Sequence, residues 1–259
     1  MTKKNNFDFD SLKSVLIVGA SGGIGYEVLS HVLTHAKDAC VFATYRESSK
    51  IEPLNKLKNG DHQNKLHLVS LNADKEEDYK NLADYIGEHE ASLDLVINCI
   101  GYLHGNTGGP EKRLSDIDLA HLTRSFEVNA LPVVLLAKHL FSFLRSPFRS
   151  FFISLSARVG SIDDNRAGGW YSYRASKAAH NMFVKNIALE FDRFRTNTLV
   201  TAFHPGTTKT SLSKPYIKNT KYQLHDPAQT ASNLFSVISG LTDTDQGAFL
   251  DWKGEVIKW

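Results

Sequence analysis

The chain has 259 residues, of which 42% are hydrophobic and 22% are charged, and its formal net charge is +2. This is the composition of an ordinary globular protein, and so small a net charge, without a cluster of aromatic and basic residues, argues against nucleic-acid binding. We find no segment with the apolar length needed to span a membrane. The first ten residues lack the apolar stretch of a signal peptide, so a cytoplasmic protein is expected.

The predicted elements alternate between strand and helix along the chain. Apolar, strand-like runs occur at Val15–Val18, Cys40–Thr44, Leu66–Leu71, Leu93–Cys99, Phe151–Leu155, Asn197–Ala202 and near Ala248–Leu250. Helical patterns lie between them, at Gly25–Thr34, Glu76–Glu90, Ile117–Leu144, Tyr173–Phe194 and Pro227–Gly240. Such alternation predicts right-handed crossovers and a parallel sheet that helices cover on both faces. The predicted fold is α/β, a single doubly wound domain over residues 14–259 with about seven strands, after a polar extension at residues 1–13.

Two segments depart from this regular pattern. Pro132 lies inside the long helical pattern Ile117–Leu144, where it removes a backbone hydrogen bond and should distort the turn that contains Asn129. Residues 209–225 contain Pro215 and several lysines with weak periodicity. A loop of this length in a compact domain is usually functional or mobile.

A glycine-rich turn follows the first predicted strand. Gly19, Gly23 and Gly25 have a GxxxGxG spacing and open an amphipathic helix. Such a turn lets the backbone approach a pyrophosphate, while the helix N-terminus faces the negative charge. The turn alone could be only a turn, but it stands in the context that dinucleotide binding requires, and it lacks the Gly-Lys-Ser/Thr ending of a triphosphatase loop. The residues predicted to hold the cofactor here are Gly19, Ser21, Gly22, Gly23, Ile24 and Gly25.

The end of the second predicted strand indicates which dinucleotide is bound. An acidic residue at this point would bind the 2′-hydroxyl of NAD, whereas an arginine can bind the 2′-phosphate of NADP. Arg46 stands there and favours NADP(H), and the hydroxyl of Ser21 could reach the same phosphate. Arg46 could also be only a solvated cation, and Glu47 directly after it leaves NAD(H) possible.

A tyrosine and a lysine lie four residues apart in the helical pattern Tyr173–Phe194. Tyr173 and Lys177 therefore share one face of a helix. A nearby ammonium favours phenolate and would lower the pKa of Tyr173 from its ordinary value of about 10. A tyrosine with such a pKa can exchange a proton in alcohol–carbonyl chemistry.

With these motifs, the chain resembles the short-chain dehydrogenase/reductase family along nearly its whole length. Asn129, within Phe126–Ala130, resembles the family's helix asparagine, whose bent turn anchors a water beside the lysine. Asp74 falls where the family often contacts adenine, although Asn72 could take that place. Further matches are Asn98-Cys99-Ile100-Gly101, which resembles an Asn-Asn-Ala-Gly segment, and Pro205-Gly206-Thr207 with Thr210, which resembles a Pro-Gly motif that lies against the nicotinamide. Residues 157–171 and 252–259 resemble the C-factor and sniffer-type carbonyl reductase branch.

The resemblance implies a Rossmann fold and a mechanism. Tyr173 would exchange a proton with the substrate oxygen, and Lys177 would hold the nicotinamide ribose and lower the tyrosine pKa. Asn129 would support a proton relay, while the hydride chemistry belongs to the cofactor. It also implies a homodimer or homotetramer, because long helices of this family commonly pair between subunits.

The family's catalytic serine is missing from its usual place. Counting back three residues from Gly160 gives Ala157, and Ser156 lies one residue earlier. A hydroxyl at this point would stabilise negative charge that develops on the substrate oxygen. Either Ser156 supplies it through a one-residue shift of the strand end or the protein works without it; we favour Ser156.

The sequence therefore predicts an NADP(H)-preferring oxidoreductase that interconverts a small-molecule carbonyl and a secondary alcohol. The alternative is an NADP(H)-binding sensor or signalling protein with little turnover, which Ala157 favours and the retained Asn129, Tyr173 and Lys177 oppose. Trp170 and Tyr216 could line a partly apolar pocket. The cysteines, Cys40 and Cys99, lie in apolar runs and are predicted to be reduced packing residues, and no metal-ligand spacing is present.

Overall fold

Seven parallel strands form the central sheet of the computed structural model, which describes residues 7–47, 51–59, 65–218 and 222–259. The strands are β1 (Ser14–Val18), β2 (Cys40–Tyr45), β3 (Leu66–Ser70), β4 (Leu95–Asn98), β5 (Ser150–Leu155), β6 (Thr198–His204) and β9 (Phe249–Asp251). Their spatial order is β3-β2-β1-β4-β5-β6-β9. A separate parallel pair joins β7 (Thr207–Thr208) to β8 (Leu224–His225). The predicted α/β fold with a parallel sheet is confirmed.

Seven helices accompany these strands in the described residues. They are α1 (Gly23–His35), α2 (Glu52–Asn59), α3 (Glu76–Gly87), α4 (Leu119–Asn129), α5 (Leu131–Leu144), α6 (Tyr171–Arg193) and α7 (Pro227–Gly240). Side chains of β1 alternate between the two faces, so that Val15 and Ile17 pack with α1 and α7 while Leu16 and Val18 pack with α3, α5 and α6. The sheet is therefore covered on both faces, which accounts for its nearly continuous apolar strands.

The long helical pattern Ile117–Leu144 is divided into two helices at Ala130. Ala130 has φ −103° and ψ −49°, and Pro132 occupies the first turn of α5. The prediction of one helix over Ile117–Leu144 is therefore wrong, although the distortion expected from Pro132 is found at the turn beside Asn129.

The same segment corrects the expectation about membrane-spanning length. Leu119–Leu144, counted as one unit, is long and apolar enough to cross a membrane by length and composition. Half of its most apolar window is buried inside the protein, as in the core helix of a globular domain.

Three further elements differ from the sequence-based expectations. The helix α2 was not predicted, because it is short and polar and buries only Leu54. The strand β8 lies in the segment predicted to be a loop. Phe7 and Phe9, from the extension predicted to be polar, pack against Phe235 in the core, while residues 1–6 lie outside the described residues.

The sheet topology creates a crevice at the carboxyl ends of β1 and β4. These strands are neighbours, with Val18 opposite Asn98, and the chain leaves them toward opposite sides of the sheet. Open parallel sheets bind ligands at such a point, where the strand order reverses. The glycine turn follows β1 and the Asn98–Gly101 segment follows β4, so both predicted cofactor segments meet at this crevice.

Candidate active site and cofactor cleft

The glycine turn after β1 is held in place by the end of β2. The Gly19 amide donates to Thr44 Oγ1 over 2.9 Å, and the Ala20 amide donates to the Thr44 carbonyl over 2.8 Å. Gly19 has φ +81°, and a Cβ on Gly25 would lie 2.2 Å from the Gly19 carbonyl oxygen. Both positions therefore require glycine. No side chain caps α1 at Gly22, so the helix N-terminus is open to an anion.

The segment after Gly206 crosses this cleft. A Cβ on Gly23 would lie 3.0 Å from Thr210 Cγ2, and a Cβ on Gly101 would lie 3.7 Å from Leu212 Cδ1. The Leu212 carbonyl is also 3.2 Å from His104 Nε2. The structure thus brings the predicted residues Gly23, Gly101 and Thr210 to one cleft.

Pro205 and Gly206 connect β6 to β7 through a tight turn. Gly206 has φ +74°, and a Cβ there would lie 2.9 Å from His225 Cδ2 and 3.0 Å from Trp252 Cδ1. This close packing fixes the turn, and Thr207 follows it as the first residue of β7. The Pro-Gly segment is therefore rigidly placed at the carboxyl end of the sheet.

Asn98 holds the turn after β4 through its side chain. Its Nδ2 donates to Ser154 Oγ over 2.9 Å, and its Oδ1 accepts from the Ile100 amide over 3.1 Å. Asn98 thus shapes the Cys99–Gly101 backbone from within the protein. Burial raises the pKa of Cys99 to about 12, and the thiol is free, in keeping with a packing role.

Three residues that the sequence predicts near the adenosine end of the cofactor, Arg46, Asp74 and Asn72, have partners in the protein. Arg46 lies directly after β2, about half exposed, with its guanidinium 2.6 Å from Glu47. Asp74 accepts from Arg124 over 2.5 Å. Although partial burial opposes it, this contact holds the pKa of Asp74 below its usual range. The main-chain and side-chain amides of Asn72 both donate to Asp78 Oδ2, over 2.7 Å and 3.0 Å.

Tyr173 and Lys177 lie one turn apart near the start of α6. Lys177 is 2% exposed, and its Nζ donates to the Leu155 carbonyl over 2.9 Å. Burial lowers the pKa of Lys177 to about 8. Tyr173 retains some exposed surface, but the surrounding protein raises its pKa to about 12. The predicted lowering of the Tyr173 pKa by Lys177 is not found, because desolvation of the phenol dominates.

Asn129 joins α4 to α6 and to the loop after β4. Its Oδ1 accepts from the Tyr102 amide over 2.7 Å. Its Nδ2 donates to the Tyr102 carbonyl over 2.8 Å and to Ser176 Oγ over 3.1 Å. The Ser176 hydroxyl in turn donates to the Tyr173 carbonyl over 3.0 Å. Asn129 therefore ties the backbone near Gly101 to the helix turn that carries Tyr173 and Lys177.

Ser156 has a different partner from the one that the sequence suggested. It is 4% exposed, and its hydroxyl donates to Asn181 Oδ1 over 2.5 Å. Asn181 lies eight residues beyond Tyr173 on α6, about 12 Å along the helix axis. This hydrogen bond counts against Ser156 as the donor to a substrate oxygen near Tyr173. The neighbouring Ala157 is the partly exposed residue at the strand end.

Aromatic side chains form a wall beside Tyr173. The centroid of the Trp170 ring lies 6.2 Å from that of Tyr173 and 5.4 Å from that of Tyr216, and Tyr216 lies 5.7 Å from His104. Trp170 has a left-handed backbone, φ 52°, which turns the chain into α6. The predicted association of Trp170 and Tyr216 with the site is thus present, and it supplies apolar ring surface next to the phenol.

A buried carboxylate that the sequence analysis missed supports this wall. Glu111 is 3% exposed, and its side chain accepts from the Ser172 amide over 3.2 Å and from the Ser172 hydroxyl. Its carbonyl accepts from the Trp170 amide over 2.5 Å. A carboxylate at a helix N-terminus accepts hydrogen bonds from unpaired amides, and its negative charge interacts favourably with the helix dipole. No local sequence pattern predicts that Glu111 binds the start of α6, because Glu111 lies 61 residues before Ser172.

The comparison with protein families identifies the chain. The family model of the short chain dehydrogenases matches residues 13–221. The chain therefore belongs to the short-chain dehydrogenase family, and it is an oxidoreductase of that family. The resemblance drawn from its motifs is confirmed.

Individual proteins are similar to this chain at 26%, 30% and 27% sequence identity. The 1-hydroxy-2-glutathionyl-2-methyl-3-butene dehydrogenase of Rhodococcus sp. (strain AD45) is 26% identical over 254 residues, which are 96% of this chain and 100% of that protein. The C-signal protein of Myxococcus xanthus is 30% identical over 168 residues, which are 64% of this chain and 93% of that protein. The NADPH-bound carbonyl reductase from chicken fatty liver has a TM-score of 0.84 and 27% identity, covering 96% of this chain and 94% of its own.

Proposed function

We propose that this protein is an NADP(H)-preferring oxidoreductase that interconverts a carbonyl and a secondary alcohol through Tyr173 and Lys177. The observation that carries the proposal is the position of these two side chains. They lie one turn apart on α6, beside an aromatic wall and near the crevice that the glycine turn borders. Interconversion of a carbonyl and an alcohol needs a proton donor, a hydride source and a site that excludes water.

The residues at the crevice fit a nicotinamide dinucleotide. The open N-terminus of α1 suits the pyrophosphate, and the Cys99–Gly101 and Pro205–Thr207 segments suit the sugar and the nicotinamide ring. Lys177 would hold a ribose hydroxyl. When bound, the cofactor supplies or accepts the hydride.

Arg46 supports a preference for NADP(H). Its guanidinium is half exposed at the end of β2, and its ion pair with Glu47 is also exposed. Exposed ion pairs contribute only about 0–1 kcal/mol, so a phosphate dianion can draw the guanidinium away from Glu47. The chicken liver relative was solved with NADPH bound, which agrees with this preference.

Tyr173 is the proton donor in this mechanism. With a pKa of about 12 it is protonated at neutral pH, which is the form that donates a proton to a carbonyl oxygen during reduction. Lys177, with a pKa of about 8, is mainly an ammonium at neutral pH and favours negative charge near the phenol. Ser156 would add a second donor only if its hydroxyl turned away from Asn181.

We also propose self-association and a cytoplasmic location. Leu131 on α5 and Met182 and Leu189 on α6 expose 38%, 61% and 52% of their surface, and such apolar side chains suit a dimer or tetramer contact. Cys40 and Cys99 are free thiols, as expected in a reducing compartment.

A dinucleotide-binding sensor with little turnover is the alternative. Its support is the alanine at position 157 together with the hydrogen bond that holds Ser156 at Asn181. It predicts tight NADPH binding with no carbonyl reduction. Both hypotheses predict NADPH binding, so a measurement of carbonyl turnover distinguishes the enzyme from the sensor.

The test is a titration of the protein with NADPH and NADH, followed by NADPH oxidation with a panel of aldehydes, ketones and quinones. We expect at least about tenfold tighter binding of NADPH, which corresponds to 1.4 kcal/mol, and turnover of at least one carbonyl. NADPH binding without turnover on a broad panel would favour the sensor. Binding of neither nucleotide would contradict both.

A further inference from the structure

The helix α4 ends inside the protein, and its last carbonyl requires a donor from another element. The final carbonyls of a helix have no partner within it. Asn129, the last residue of α4, is 2% exposed. Pro132, in the first turn of α5, has no N–H to donate at this break. The donor comes from α6, where His180 Nδ1 lies 3.0 Å from the Asn129 carbonyl oxygen.

The hydrogen bond defines the state of the imidazole. His180 is fully buried, and burial together with Lys177 lowers its pKa to about 3, so the ring is neutral at working pH. Because the Asn129 carbonyl can only accept, Nδ1 carries the proton. Nε2 makes no hydrogen bond to any described residue, although the Ser154 backbone lies close enough to the ring to oppose the fall in its pKa. An apolar side chain would fill this space without leaving a nitrogen unpaired, so the Nδ1 hydrogen bond is the feature that requires histidine.

Asn129 is thus held by α6 at two points, one turn apart. Ser176 accepts from its side-chain amide, and His180 donates to its main-chain carbonyl. The same amide group binds both the N–H and the carbonyl of Tyr102, in the loop that follows Gly101. The position of this loop relative to α6 therefore depends on how firmly Asn129 is held.

We propose that His180 is a positioning residue for the active site. By fixing the Asn129 carbonyl, it keeps the Asn129 amide on Tyr102 and so holds the cofactor-side loop in register with Tyr173 and Lys177. This inference rests on the proposed function, since it assigns His180 a role in the same site. His180 acts through Asn129 and not by contact with substrate.

The test compares His180→Leu with His180→Asn. Leucine fills the space without a donor, whereas the asparagine amide can place an N–H close to the position of Nδ1. We expect His180→Leu to lower kcat about tenfold, the factor that corresponds to about 1.4 kcal/mol and to the loss of one buried hydrogen bond. Its KM and its Kd for NADPH should stay within about threefold of wild type, and His180→Asn should recover most of the kcat.

A readout that does not depend on turnover is amide hydrogen exchange of the peptide that covers residues 99–104. We expect faster exchange in His180→Leu and near wild-type exchange in His180→Asn, because the Tyr102 amide is bonded to Asn129. Unchanged exchange and kcat in His180→Leu, or equal losses in both variants, would overturn the proposal.

A third variant keeps the test decisive if His180→Leu fails to fold. His180→Gln carries its amide nearer to the place of Nε2, so it should be much less active than His180→Asn; equal activity of these two would also overturn the proposal. If the wild-type protein shows no turnover, the proposed function fails, and the exchange comparison still decides the role of His180.

Discussion

In the proposed function, Arg46 is the side chain that determines the preference for NADP(H). It follows β2 at the carboxyl edge of the sheet, where the second strand of a dinucleotide-binding unit meets the adenosine ribose. Glu47 neutralises it through a 2.6 Å contact, and both side chains are about half exposed. A pair of this kind is weak in water, so the guanidinium can exchange Glu47 for a 2′-phosphate at little cost.

Replacement of Arg46 by alanine should therefore discriminate between the two nucleotides. We expect Arg46→Ala to weaken NADPH binding about 10- to 100-fold, because a hydrogen bond to a charged group contributes about 1.5–3 kcal/mol. The Kd for NADH should change by less than about threefold. Fluorescence titration measures both constants, with Arg145→Ala, an exposed position at the end of α5, as the control. Equal losses for the two nucleotides would remove Arg46 from the phosphate site.

Single residues show where prediction from the sequence reaches its limit. The pairing of Tyr173 with Lys177 on one helix face follows from local geometry, and the structure has it. The bond from Ser156 to Asn181 and the contact of Glu111 with Ser172 join residues that are far apart in the chain. Their roles depend on how helices and loops meet in space, which no local pattern records. The pKa of Tyr173 is a similar case, because burial outweighs the neighbouring charge.

At the scale of elements, the junction between α6 and the end of β5 shapes the site. Lys177 binds the Leu155 carbonyl, and a Cβ on Gly160 would lie 2.8 Å from the Lys177 backbone. The short helical turn Arg158–Gly160 can thus pack directly on α6 only because residue 160 is glycine. The packing of this turn on α6 buries the Lys177 ammonium, and burial of a charged group lowers the free energy of unfolding.

Removal of that ammonium should stabilise the fold while it abolishes activity. Burial lowers the pKa of Lys177 from 10.5 to about 8. We expect Lys177→Met to raise the free energy of unfolding at pH 7 by about 1–3 kcal/mol, from 1.36 kcal/mol per pKa unit less the lost hydrogen bond. Between pH 8 and pH 10.5 the unfolded chain holds this proton and the folded chain does not. Wild-type stability should therefore rise with pH relative to the variant, and the difference should shrink.

Denaturant unfolding at several pH values measures this difference, with Lys185→Met on the same helix as the control. A Lys177→Met protein that is less stable than wild type at pH 7, with a difference that does not vary with pH, would show that the buried ammonium carries no such cost.

The break between α4 and α5 illustrates how far an element can be predicted. Pro132 indicates a distortion at this point, and the chain does break at Ala130. That the released Asn129 carbonyl is bound by His180 could not be inferred, because it depends on the packing of α6 against α4. The proline therefore predicts the position of the break, whereas the partner of the Asn129 carbonyl depends on how α6 packs against α4.

At the scale of the whole molecule, strand order brings the predicted cofactor segments together. The glycine turn, the Cys99–Gly101 segment and the Pro205–Thr207 turn all follow strands at the carboxyl edge of one parallel sheet. Alternation of apolar strands with amphipathic helices was sufficient to predict this edge. The short helix α2 and the pair of β7 with β8 were not predicted, because so few residues carry too weak a pattern.

In the proposed reaction, Tyr173 supplies the proton for carbonyl reduction. The most direct measurement is steady-state NADPH oxidation with the best carbonyl of the panel, for wild type, Tyr173→Phe and Tyr171→Phe. Tyr171 begins the same helix but lies six residues before Lys177, away from its face. We expect Tyr173→Phe to lower kcat by at least about 100-fold, as for loss of a general acid, with NADPH binding nearly unchanged and Tyr171→Phe active. A Tyr173→Phe protein that reduces carbonyls at the wild-type rate would show that Tyr173 is not the proton donor.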